Sequence, residues 1–136
     1  MVHVFIQSST ESVTSAKFNG LNLIQAAPPV VNGEAYLWTG YLADPPPGNF
    51  TLNVVKSGTA LAKIWAVSYV GIRTSSPIGA VASETSGLTN TYTQNIQTTN
   101  DYSILVGFTG ETNSGMFVQS MGAGQQMISS NNSISG

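Results

Sequence analysis

Chain breakers recur along this sequence at short intervals, and they leave no stretch regular enough to wind into a helix. Asn19-Gly20, Pro28-Pro29, Asn32-Gly33, Asp44-Pro45-Pro46-Pro47-Gly48 and Ser57-Gly58 punctuate the first half alone. Glycine and asparagine tolerate positive φ, and proline removes a backbone donor, so each of these is a turn or a stop. No window between them places apolar residues at i, i+3, i+4 and i+7 among good helix formers. Short runs with alternating or continuous apolar residues fill the gaps instead, which is the pattern of strands.

The runs fall at residues 2–7, 13–18, 21–26, 35–42, 50–55 and 61–70, then 80–83, 89–98, 102–108, 116–121 and 125–129. Asn19-Gly20 joins the second and third as a tight hairpin, since both turn residues can adopt the left-handed backbone that a two-residue loop needs. The prolines 28 and 29 stop the third strand. In 50–55, Phe50, Leu52 and Val54 share one face. The run 61–70 is apolar on both faces and reads as a central strand. Residues 80–83 read as a short edge strand and 89–98 as a polar edge strand. Tyr102, Ile104, Val106 and Phe108 share one face of a core strand. About ten short strands without helices predict an all-β fold, an antiparallel β-sandwich or jelly roll.

One domain over residues 1–128 fits a chain of 136 residues. Residues 129–136, Ser129-Ser130-Asn131-Asn132-Ser133-Ile134-Ser135-Gly136, offer little to pack. They read either as a polar tail or linker, or as the end of a sheet whose closing strand a neighbour supplies.

Charge is scarce. Only 7% of residues are charged, with a net charge of −2, against about 25% charged residues in an ordinary soluble domain. Ser, Thr, Asn and Gln take their place. Such a surface loses little on desolvation and repels its own copies weakly, so it suits packing against neighbours. Lys17, Lys56, Lys63 and Arg73 are scattered and form no stripe, so no nucleic-acid partner is expected. No apolar run approaches the roughly 20 residues of a membrane-spanning helix. The opening Met1-Val2-His3-Val4-Phe5-Ile6-Gln7 lacks a basic segment followed by a long apolar one, so no signal peptide is expected. Cysteine is absent.

The residues for catalysis are equally sparse. His3 is the single histidine and reads as an exposed or edge residue of the first strand. The carboxylates Glu11, Glu34, Asp44, Glu84, Asp101 and Glu111 each lie in or beside a turn signal, where a solvated role is the default. No Gly-x-Ser-x-Gly, Asp-x-Asp or His-x-His occurs, and Gly122-Ala123-Gly124 is not followed by a phosphate-binding helix. Loop carbonyls with Asp44 or Asp101 come nearest to a calcium site. No enzyme activity, metal or cofactor is therefore expected. Asn49-Phe50-Thr51 and Asn131-Asn132-Ser133 match the glycosylation sequon.

Tyr36, Trp38, Tyr41, Trp65 and Tyr69 remain as candidate contact residues. Alternation places Tyr36 and Trp38 on one face and Tyr41 on the other, with Trp65 and Tyr69 sharing a face. They fill the core between sheets, or stack on sugar rings, or form a subunit interface.

An ordered set of motifs carries a family resemblance. Val13-Thr14-Ser15-Ala16-Lys17-Phe18-Asn19-Gly20-Leu21-Asn22-Leu23 is followed by Ala35-Tyr36-Leu37-Trp38-Thr39-Gly40-Tyr41-Leu42-Ala43-Asp44-Pro45-Pro46-Pro47-Gly48. Trp65-Ala66-Val67-Ser68-Tyr69-Val70-Gly71 and Ser76-Pro77-Ile78-Gly79 come next. This order, over residues 2–128, resembles a β-sandwich module of phage virion and tail-associated proteins and of secreted bacterial surface proteins. The resemblance implies a displayed, non-catalytic sandwich, with a further strand after the position of Ile128. The expected function is that of a structural or decoration protein, or a fibre or tail module, of a phage-like virion or extracellular assembly. Its partners would be neighbouring capsid, tail or filament subunits, with homo-oligomers expected. The alternative is a carbohydrate-binding or adhesin module for cell-surface glycans.

Overall fold

A computed structural model describes residues 1–33, 35–85, 93–101 and 103–109. Among them there is no helix, and eight strands form two antiparallel sheets. The strands are β1 (Val2–Ser8), β2 (Val13–Phe18), β3 (Leu21–Asn22), β4 (Ile24–Gln25), β5 (Val30–Asn32), β6 (Ala35–Leu42), β7 (Leu52–Lys56) and β8 (Ala62–Ser68).

The larger sheet runs β4-β6-β1-β8, with β5 also on β6. β1 is its axis. Val2 to Ser8 pair in unbroken register with β6, Val2 opposite Leu42 and Ser8 opposite Tyr36. On the other side the same residues pair with β8, Val2 opposite Ser68 and Ser8 opposite Ala62. Exchanged bonds between Met1 and Tyr69 extend that ladder by one pair. The smaller sheet runs β3-β2-β7.

Hydrophobic burial joins the sheets. Val2, Val4 and Ile6 from β1, Tyr36 and Trp38 from β6 and Ala16 from β2 form one buried cluster. Val13, Phe18, Leu23, Leu52 and Val54 pack against it. Val4 and Ile6 are fully enclosed, each contributing about 2 kcal/mol by removal from water. Of the face expected in 50–55, Leu52 and Val54 pack toward the core and Val55 is exposed on the other side, whereas Phe50 precedes the strand and is 37% exposed.

The Asn19-Gly20 turn forms as its sequence demands, with φ of 51° and 75°. The strand after it does not run on as one piece. Residues 21–26 divide at Leu23 into β3, paired with β2, and β4, paired with β6. The Leu23 N–H still donates to Ala16 in the smaller sheet (2.9 Å), whereas the Ala26 N–H donates to Thr39 in the larger (2.9 Å). One short segment thus crosses from sheet to sheet. Pro28 and Pro29 then interrupt the edge of β6, and β5 resumes it. Proline lacks the N–H that an unbroken ladder would use there, which fits the break at this edge.

Four further expectations differ from the structure. The central strand is β1; β8, read as central from its two apolar faces, has β1 as its one partner among the described residues. Its apolar ends mark an uncovered edge: Leu61 and Val70 are each 94% exposed. Residues 80–83, the described 93–98 and 103–108 carry no strand, and Ile104 is 61% exposed. Alternation supplies a face, but a strand also needs a neighbour with free backbone groups. The readings at 116–121, 125–129 and 129–136 lie outside the described residues.

Gly40 shows how tightly the core is fitted. It follows Trp38 on the same face of β6, and a Cβ there would overlap the six-membered ring of the indole. Trp38 is held over this glycine by burial and by its N–H, which donates to Gln25 Oε1 on β4 (3.3 Å). Gly40→Ala therefore has to displace the indole, and is expected to cost about 1–3 kcal/mol. Urea denaturation of the variant, with its midpoint lowered at unchanged slope, checks this.

Candidate functional site

Strict two-residue alternation on β1 sends Val2, Val4 and Ile6 inward and Met1, His3, Phe5 and Gln7 to the outer face of the larger sheet. The registers then fix who stands beside them. Tyr41 and Val67 flank His3, Thr39 and Trp65 flank Phe5, and Leu37 and Lys63 flank Gln7. Tyr69 stands opposite Met1. Three of the five aromatic candidates, Tyr41, Trp65 and Tyr69, therefore belong to one outer face. Tyr36 and Trp38 lie in the core on the opposite side of the sheet.

This outer face is partly roofed. Phe108 sits over β1 and β8, with its ring centroid 5.0 Å from that of Phe5 and 5.1 Å from that of Trp65. The Trp65 contact is edge-on, at 63° between planes. His3 stacks obliquely on Phe5, centroids 4.2 Å apart. Tyr41, Trp65 and Tyr69 remain partly accessible, while Phe5 and His3 are buried.

The burial of His3 corrects its reading as an exposed or edge residue: it is 8% exposed, on the central strand. Its Nε2 shares a hydrogen bond with Thr39 Oγ1 (2.8 Å), and its Nδ1 is buried without a partner among the described residues. Burial lowers its pKa below the ordinary 6.5, since the charged ring is the form that loses water. Burial likewise raises that of Tyr69, whose hydroxyl is enclosed without a partner among the described residues.

His3, Thr39, Phe5 and Phe108 are the members of this face that the aromatic survey of the sequence passes over. The available signal is the run Val2-His3-Val4-Phe5-Ile6, which is bulky and largely apolar at both parities and so marks a strand covered on both sides.

Elsewhere the chemistry is thin. A cavity of about 480 Å³ opens among loops that include Arg73, Ser76 and residues 98–101. Among the described residues, Asp101 is the one carboxylate in its lining. Among the described residues no three His, Asp or Glu side chains cluster as metal ligands.

Glu11 departs from the solvated role expected of it. Its Oε2 accepts from Lys56 Nζ (2.6 Å) and its Oε1 from the Ala60 N–H (2.8 Å). Lys56 also donates to the Ala60 carbonyl, and Ser8 Oγ to the Glu11 carbonyl. The carboxylate thereby ties the β1–β2 turn to the β7–β8 turn. Gly58 leaves it room, since a Cβ there would collide with Oε1.

No protein-family model, curated protein or solved structure matches this chain.

The Glu11 contacts carry a pH signature. The Ala60 N–H, then the Lys56 hydrogen bond, lower its pKa from the ordinary 4.5. A carboxylate depressed in this way stabilises the fold fully above its unfolded pKa and ceases to do so as pH falls through the folded one. Wild type is expected to lose more stability than Glu11→Gln on going from pH 6 to below the ordinary carboxylate range, about pH 3. Thermal melts of both proteins across that interval measure the difference.

Proposed function

We propose that this chain is a non-enzymatic structural module, a decoration protein or a fibre or tail component of a phage-like virion or another extracellular assembly. It works by subunit–subunit contact, and its first partner is a second copy of itself. The observation that carries this reading is the apolar strip at the open end of the larger sheet. By register, Ile64 and Ala66 share the inward face of β1 with Ile6 and Val4. The smaller sheet does not reach them: Ile64 is 46% exposed, and Leu61 and Val70, which flank the two ends of β8, are each 94% exposed. Apolar surface of this kind at a sheet end favours a partner. The low charge of the chain supports a copy in that role, because two such surfaces meet with little electrostatic repulsion.

A sandwich of about ten strands with jelly-roll connections is the finer fold that suits such a module. Virion or extracellular-surface placement goes with the same reading. The resemblance of the hairpin motif at residues 13–23, the triple-proline corner and the later motifs to phage and surface modules supports it further.

A second reading has one observation in its favour. Tyr41, Trp65 and Tyr69 share the outer face, where partly accessible rings could stack on a glycan. Cell-surface glycans bound there would change tryptophan emission through Trp65.

Self-association measured by sedimentation decides the leading reading. It is expected to vary little between about 0.05 and 0.5 M salt, because ion pairs contribute little to it. Ile64→Lys is expected to weaken it by about tenfold or more while leaving the circular dichroism of the sheet unchanged, since a buried unpaired ammonium costs more than the ~1.4 kcal/mol that tenfold represents. A chain that stays monomeric at high concentration, or one whose association collapses with salt, overturns the reading.

A further inference from the structure

We propose that His3 is an acid-operated latch beneath the aromatic cover of the outer face: uncharged, it lets residues 103–109 seat on β1 through Phe108 and Phe5, and protonated, it releases them and uncovers Phe5 and Trp65.

The geometry supplies the two states. In the closed one the imidazole is buried with one hydrogen bond, to Thr39, and stacks on the phenyl ring that Phe108 covers. The imidazolium carries a proton on both ring nitrogens, and its Nδ1–H faces no acceptor among the described residues. Among the described residues, the groups that flank the ring offer an imidazolium no counter-charge. From β6 the flanking residues are Tyr41 and Thr39. From the β8 side they are Val67 and Trp65, with Tyr69 beyond. On its own strand stand Phe5 and, past Val2, the Met1 nitrogen, itself a cation that donates to the Tyr69 carbonyl (2.8 Å). Lys63 is the nearest charged side chain along the face, opposite Gln7. Residues 103–109, Ser103-Ile104-Leu105-Val106-Gly107-Phe108-Thr109, contain no titratable group.

Protonation in the closed state therefore strands a charge and an N–H away from water, and opening relieves both. The cover is the element that can yield. It carries no strand, and Ile104 and Leu105 are exposed. β1 by contrast is held by two full ladders. A locally weak segment opens at far lower cost than the sheet beneath it. The lowered pKa of His3 has the sign that this coupling requires: the open state binds the proton more tightly, so acid favours it.

Acrylamide quenching of tryptophan fluorescence tests the latch. Trp38 is enclosed in the core, so the quencher reads Trp65. Between about pH 7.5 and pH 5 the quenching constant of the wild type is expected to rise about twofold or more, with the far-ultraviolet dichroism of the sheet unchanged. His3→Gln, which can still bond Thr39 but takes no proton, is expected to stay flat. If that variant does not fold, His3→Phe, which prolongs the stack with Phe5, serves in its place. Equal quenching of wild type at both pH values overturns the proposal. So does an equal rise in the non-titrating variant, or a rise that comes with loss of the sheet signal, which would be global acid unfolding.

Discussion

The structure depends on β1 being covered on both of its faces. Val2, Val4 and Ile6 anchor the cluster between the sheets, while His3 and Phe5 anchor the outer face. A strand that is apolar at both parities gains almost the same burial in either of two registers, so the hydrophobic pattern alone leaves its phase weakly defined. Polar detail selects the phase. Shifted by one residue, His3 would enter the main core away from Thr39, and its one hydrogen bond would be lost. The paired bonds between Met1 and Tyr69 at one end, and the Ser8 hydroxyl on the Glu11 carbonyl at the other, fix the strand lengthwise.

The two sheets are also joined through the chain itself. The segment that leaves the Asn19-Gly20 turn gives two residues to each sheet and changes sides at Leu23, which packs on the core as it crosses. Gln25, just past the crossing, accepts from the Trp38 indole and donates to the Ala27 carbonyl (2.8 Å). The largest side chain of the core is thereby tied to the corner where the sheets meet. Gly40 completes that corner from below, because only a residue without a side chain lets the indole lie flat along β6. On the smaller sheet, the edge-to-face pair Phe18 and Phe50 (5.8 Å, 82°) closes the same end of the core.

Local rules were enough for much of this. The first two strands, the hairpin turn, the strand 35–42 and the inward side of 50–55 could all be read from periodicity and turn chemistry, because each is decided by residues adjacent in sequence. The division of 21–26 could not, since nothing in Leu21-Asn22-Leu23-Ile24-Gln25-Ala26 says that the ladder partner changes midway. The choice of central strand failed for a related reason. Residues 2–7 and 61–70 are both apolar at both parities, and which of them lies in the middle is settled by distant pairing with β6. The aromatic candidates split in the same manner. Alternation separated Tyr36 and Trp38 from Tyr41 on their own strand, but only the register through β1 brings Tyr41 onto one face with Trp65 and Tyr69. The burial of His3 is not legible locally, because its hydrogen-bond partner, Thr39, is far along the chain and a lone histidine shows nothing of its partner.

The shortage of charge gives the remaining ionisable groups unusual individual weight. Glu11 and Lys56 are committed to each other and to the Ala60 backbone, so one of the few ion pairs available joins two turns instead of decorating the surface. With one histidine and no cysteine in the sequence, His3 is the one side chain whose unperturbed charge changes between about pH 5 and pH 8. In a charge-rich domain such a change would be one among many and would be screened or compensated by its neighbours. Here it falls on a buried ring stacked on Phe5, which Phe108 covers in turn. Between about pH 5 and pH 8, a protein with one histidine and no cysteine thus has a single buried side chain through which to respond.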